Sequence, residues 1–84
     1  MFFVYILQSE KDGRFYIGST QDLEERLSRH NEGRSGFTKN KGPWKLIHKE
    51  IFNNISEARK RENFIKRQKS KKFIKELINR GVEK

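Results

Sequence analysis

The sequence predicts a small α/β domain, of the α+β kind, with elements in the order β-β-α-β-α-α. Three observations predict it. Two short runs rich in β-branched and aromatic residues flank an Asp-Gly pair near the N-terminus. Side chains able to cap helices stand before three later stretches. The last of those stretches carries apolar residues at helical spacing. A chain of 84 residues leaves room for one domain, taken as residues 1–84.

The elements follow in order. Phe2–Ser9, FFVYILQS, reads as a first strand, and Phe15–Thr20, FYIGST, as a second. Between them Asp12-Gly13 marks a hairpin turn, so the two strands are expected to pair antiparallel. Ser19, Thr20 or Asp22 can cap a first helix, and Asp22, Glu24 and Glu25 suit its positive N-terminal end. That helix runs to about Asn31, with Gly33 past its end. Glu32–Trp44 holds Gly33, Gly36, Gly42 and Pro43 beside Arg34, Lys39 and Lys41, and reads as a basic loop. Lys45–Phe52 is a third strand, and Asn53-Asn54 a turn. Ser56 can cap a second helix to about Gln68. Ser70 can cap a third helix through about Asn79, ended by Gly81. Phe73, Ile74, Leu77 and Ile78 form one stripe on it, read as core.

Composition narrows the function. Charged residues make up 37% and hydrophobic residues 32%, a thin core under a charged surface, yet seven Phe argue against disorder. The absence of Cys excludes disulfides, thiolate zinc sites and cysteine nucleophiles, and two histidines, His30 and His48, do not replace them. No apolar run approaches the roughly 20 residues of a membrane span. Met1–Leu7 has neither the basic start nor the cleavage site of a secretory signal. The expectation is a soluble, cytoplasmic, basic protein with no membrane partner. No phosphate-binding glycine motif is present.

The formal charge is +9, from 20 Lys and Arg against 11 Asp and Glu. Residues 57–84 hold eleven of the cations and only four of the acids. Charge of that size points to a polyanion, most often nucleic acid held through its phosphates. Nothing in the sequence indicates base-specific reading.

Polar residues fall where core residues belong. On the first helix Leu23 and Leu27 set the buried face, with His30 about 20° and Arg26 about 60° from Leu23. Either Arg26 lays its stem on the core and His30 sits at a frayed end, or the pair lines a cleft holding a phosphate and a proton. On the second helix Glu62 lies between Ala58 and Ile65. It can serve a hard divalent cation, or simply pair with Lys66 four residues on. Tyr5 and Tyr16 lie one on each hairpin strand, either as core tyrosines or as site residues. Gly18 marks a close backbone approach or the end of a strand.

Phe3-Val4-Tyr5, then Tyr16-Ile17-Gly18, then Arg26, His30 and Glu62 in ARKRENFIK together resemble the GIY-YIG nuclease domain. The chain is similar to its small stand-alone bacterial members from Phe2 to about Ile78. Five short elements in register carry the resemblance. It implies a three-stranded antiparallel sheet flanked by helices, and phosphodiester cleavage with one divalent cation, Mg²⁺ or Mn²⁺. It implies that Tyr5 and Tyr16 line the site and that one of them activates or positions the attacking water. Arg26 then stabilises the scissile phosphate, His30 assists proton movement, Glu62 anchors the metal, and Gly18 lets backbone approach the substrate. A tyrosine base needs help, since its reference pKa is ~10. The chain departs from the family pattern twice. Phe3 replaces the Gly of the family name, and the Asn that many members carry after the metal Glu has only Asn79 to answer it.

Three readings follow. The first is an endonuclease of little sequence specificity, acting on DNA more than RNA in repair or recombination. The second is a catalytically weak or inactive nucleic-acid-binding module. The third is an adaptor that recruits another repair protein through the third helix. Besides Gly18, Arg34, Lys39 and Lys41 of the loop and Arg59 and Lys66 of the second helix are the expected nucleic-acid contacts.

Overall fold

The computed structural model describes residues 1–32 and 42–82. Its elements are β1 (Phe2–Ser9), β2 (Phe15–Thr20), α1 (Leu23–Asn31), β3 (Trp44–Phe52), α2 (Ile55–Gln68) and α3 (Lys71–Val82). The strands form one antiparallel sheet in the order β2-β1-β3, as expected. The basic loop contacts expected at Arg34, Lys39 and Lys41, and the helix end expected at Gly33, lie outside the described residues.

The hairpin turn is built by Ser9 and Gly13. Ser9 Oγ accepts from the backbone N–H groups of Lys11 and Asp12, and Gly13 N donates to Ser9 O. Gly13 has φ +79°, a conformation that Gly adopts without steric cost. Opposite it, β1 and β3 pair with a bulge between Ile6 and Leu7. The bulge puts one extra residue into β3, so Leu46 follows Leu7 to one face while Ile47 packs with the core of the other.

β1 is the central strand, and its alternation divides the molecule. Val4 and Ile6 join Ala58, Ile65, Ile74 and Leu77 in a core beneath α2 and α3. Tyr5 and Leu7 join Trp44, with Leu23 and Leu27 of α1 against them. The sheet therefore lies between α1 on one face and α2 with α3 on the other. The stripe on α3 is core, as the spacing predicts.

The caps settle several alternatives. Asp22 caps α1, accepting from Glu25 N, and Ser70 caps α3, accepting from Phe73 N. α2 is capped by Asn54, whose Oδ1 accepts from Glu57 N at 2.9 Å, rather than by Ser56. The amide of the preceding turn performs the capping, and the helix starts earlier than Ser56 implies. β3 starts at Trp44, one residue before the expected Lys45. α3 continues through Gly81 to Val82 instead of ending near Asn79, since a helical Gly costs only about 1 kcal/mol.

Candidate active site

Tyr5 and Gly18 are directly opposed across the β1–β2 pair and share a face. A Cβ on Gly18 would lie 2.6 Å from the Tyr5 hydroxyl and 2.8 Å from its Cζ. The missing side chain thus makes room for the Tyr5 phenol, which lies across β2. The close approach signalled by Gly18 is filled by a neighbouring ring of the same protein.

That placement brings Tyr5 to His30. The Tyr5 hydroxyl and His30 Nε2 are 3.1 Å apart, and both residues are 1% exposed. His30 is therefore no frayed helix end. The Glu32 backbone N–H closes the last turn of α1 on Ser28 O and His30 O. The ring of Tyr16, itself half-buried, lies 4.6 Å from His30 and 6.2 Å from Tyr5, centroid to centroid. Three aromatic rings thus form one cluster on the α1 face.

Its electrostatics are asymmetric. Burial pushes the Tyr5 phenol well above its ordinary value, Tyr16 and Glu62 add to the rise, and Arg26 opposes it by charge and by a side-chain hydrogen bond. Tyr5 therefore stays protonated throughout the physiological range. Burial lowers His30, and Arg26 and Arg29 lower it further. The imidazole is neutral near pH 7, with one ring nitrogen able to accept a proton.

Arg26 leaves the stripe of α1 beside this cluster. Its Nε is buried with no partner among the described residues. Buried donors are nearly always satisfied, so this one is suited to an acceptor that arrives with a ligand. Arg26 also lines an open groove of about 650 Å³ with Phe2, Ser19, Thr20, Ile55 and Arg59.

Glu62 reaches the same strand from the other side. Ser19 follows Gly18, so its side chain turns to the opposite face, where Ser19 Oγ donates to Glu62 Oε1 at 2.7 Å. Lys66 Nζ donates to Glu62 Oε2 at 2.6 Å, the i,i+4 pair that the spacing predicts. The Glu62 side chain is 16% exposed, and its charge is felt at the Tyr5 phenol. The structure therefore brings Tyr5, Tyr16, His30 and Arg26 together on one face. Glu62 is anchored at the adjoining edge through Ser19.

Among the described residues no three His, Cys, Asp or Glu side chains gather into a metal-binding group. One carboxylate flanked by a serine hydroxyl does fit a hard divalent cation that keeps most of its water. Lys66 already neutralises that carboxylate, so such a cation competes with an ammonium.

Sequence reasoning missed Ser19 as a site residue, treating it as a possible cap. Strand parity was the available signal, since the residue after Gly18 must face away from Tyr5. It also missed Asn31, whose Oδ1 accepts from Trp44 N at 2.6 Å and whose Nδ2 donates to Trp44 O at 3.2 Å. This amide ties the end of α1, and with it His30, to the start of β3. His48 is held by an acid two residues on along its own strand. Its Nε2 lies 2.8 Å from Glu50 Oε2, and Arg61 grips the same carboxylate with two hydrogen bonds. Asn79 is exposed on α3, whose buried residues pack on the face opposite the tyrosines.

Residues 1–76 match the model of the GIY-YIG catalytic domain. The chain belongs to the GIY-YIG family. It is thereby placed in a family of nucleases, which generally use a divalent metal and act on nucleic acid. A UPF0213 protein of Staphylococcus saprophyticus is 42% identical, covering 88% of this chain and 94% of that protein. A UPF0213 protein of Clostridium perfringens is 36% identical, covering 99% and 89%. The solution NMR structure of a UPF0213 protein from Bacillus halodurans superposes with a TM-score of 0.59 at 31% identity, over 94% of this chain and 84% of that one. Those names assign no specific reaction. Among the described residues no helix is long and apolar enough to cross a membrane.

Proposed function

We propose that this GIY-YIG protein is a cytoplasmic endonuclease that hydrolyses phosphodiester bonds in DNA, with little sequence preference, in repair or recombination. The observation that carries the reading is the buried Nε of Arg26, without a partner among the described residues, beside a Tyr–His–Tyr cluster. Arg26 binds the scissile phosphate and stabilises the charge that gathers on its oxygens in the transition state. The proton of the attacking water passes to the Tyr16 hydroxyl, which gives its own proton to neutral His30. Tyr5 is held protonated by burial and orients His30 rather than acting as a base. Ser19 positions the Glu62 carboxylate. Glu62 would hold Mg²⁺ or Mn²⁺, which supplies Lewis-acid charge at the phosphate when bound. Lys66 and the other cations of α2 attract the strand, and Gly18 serves it indirectly by seating Tyr5.

A second reading, a binding module without turnover, is favoured by the exposed position of Asn79. One experiment separates the two. Labelled duplex, single-stranded, flap and branched DNA, with matching RNA, is incubated with Mg²⁺, Mn²⁺ or EDTA beside Glu62→Gln. The nuclease reading expects cation-dependent cutting, strongest on DNA, that Glu62→Gln loses while its binding persists. Binding without cutting by the wild type replaces that reading with the second.

A further inference from the structure

The groove beside the aromatic cluster is lined by two acidic and two basic side chains, and they are not equivalent. Asp22 Oδ1 is committed to Glu25 N, and Glu25 Oε1 to Arg29 at 2.6 Å. Arg26 keeps its Nε without a partner among the described residues, and the exposed Arg59 side chain has no ion-pair partner among them. Two other arginines, Arg14 and Arg61, are by contrast tied to Asp12 and Glu50. A guanidinium without a carboxylate partner among the described residues thus stands on each wall, from α1 and from α2, while Asp22 keeps its charge at the cap of α1. Phe2 and the half-exposed Ile55 add apolar surface beside the two guanidinium groups. A guanidinium pair across an open groove of about 650 Å³ matches a phosphodiester strand, whose charges repeat along its length.

We infer that Arg59 binds the phosphate next to the scissile one, so that the groove between α1 and α2 is a second phosphate subsite for the substrate strand. Phe2 and Ile55 face the sugar between the two phosphates. Arg59 is a binding residue in this arrangement and takes no part in the bond that breaks. The inference rests on the nuclease reading for the position of the scissile phosphate.

The test is methylphosphonate interference. Labelled strands carrying one neutral methylphosphonate at random are cut, and products are sorted by the spacing between that group and the cut. Wild type is expected to deplete products with the neutral group at the scissile phosphate and at one adjacent phosphate. Arg59→Gln should lose only the adjacent depletion, and Arg59→Lys should restore part of it. In parallel, binding in EDTA is measured against salt. Arg59→Gln should weaken affinity about threefold to tenfold and reduce the salt slope by about one, whereas Lys75→Gln on α3 should leave the slope unchanged. Interference and slope both unaffected by Arg59→Gln overturn the subsite while leaving the nuclease reading intact. A slope reduced by one in a protein that cuts nothing supports a phosphate contact at Arg59 and removes the nuclease reading instead.

Discussion

The two faces of the sheet are built from alternate residues of one strand, yet they do different work. Beneath α2 and α3, Val4 and Ile6 meet Ala58, Ile65, Ile74 and Leu77 in an aliphatic core. Beneath α1, Tyr5 meets His30, Tyr16 and Arg26, with groups that titrate or carry charge. The aliphatic core itself needs only volume and apolar surface. The second face needs each polar atom in one place, and it uses Gly18 and Asn31 to achieve that. The aliphatic core and the aromatic cluster are thus separated by a single peptide unit along β1.

The largest effect that should expose this division is Ile6→Ala. A buried isoleucine truncated under two helices is expected to cost about 2–5 kcal/mol, read by urea unfolding. Gly18→Ala should follow, at about 1–3 kcal/mol, because its Cβ collides with the Tyr5 phenol. It should also displace Tyr5 from His30, so cleavage falls further than stability does. Cleavage unchanged in Gly18→Ala would erase the distinction between the faces.

The pH dependence separates the faces as well. Burial works to raise Glu50, but hydrogen bonds from Arg61 and His48 prevail and hold it below its usual 4.5. Its contribution to stability is therefore present above that value and lost as pH falls through the lowered one. His30 is also lowered, so its contribution is full above about pH 6.5 and declines as the pH falls below it. Tyr5 is raised, so its contribution is full below about pH 10 and declines as pH rises above that. In acid, then, Glu50→Gln should flatten the lower part of the stability profile and His30→Gln the part just below neutrality. Thermal unfolding across pH 3–11 checks both. The smallest effect belongs to Asn31→Ala, at about 1 kcal/mol, in hydrogen exchange at the start of β3.

Much of this architecture was legible in the sequence. FFVYILQS and FYIGST around Asp12-Gly13 announced the hairpin, and the apolar spacing of Phe73, Ile74, Leu77 and Ile78 announced a core helix, because both signals are local. Tyr5, Tyr16, Arg26, His30 and Glu62 formed a set only through their resemblance to the order and spacing of the GIY-YIG domain, since each alone has an ordinary structural reading. What escaped was set by contacts between distant segments. Ser19 and Glu62 are 43 residues apart, and no local pattern links them. The capping role of Asn54 was hidden because Ser56, two residues on, is an equally good capping residue by type. The bulge that carries His48 toward Glu50 and Arg61 depends on pairing with β1, which KLIHKEIF alone does not encode.

On the α1 face the Tyr16 hydroxyl serves the chemistry and adds little to the stability of the fold. Tyr16→Phe tests it most directly, through cleavage rate and unfolding free energy measured on the same preparation. Cleavage is expected to slow by about 100-fold or more, with stability within about 1 kcal/mol of wild type. Cleavage at the full rate by a folded Tyr16→Phe protein would contradict it.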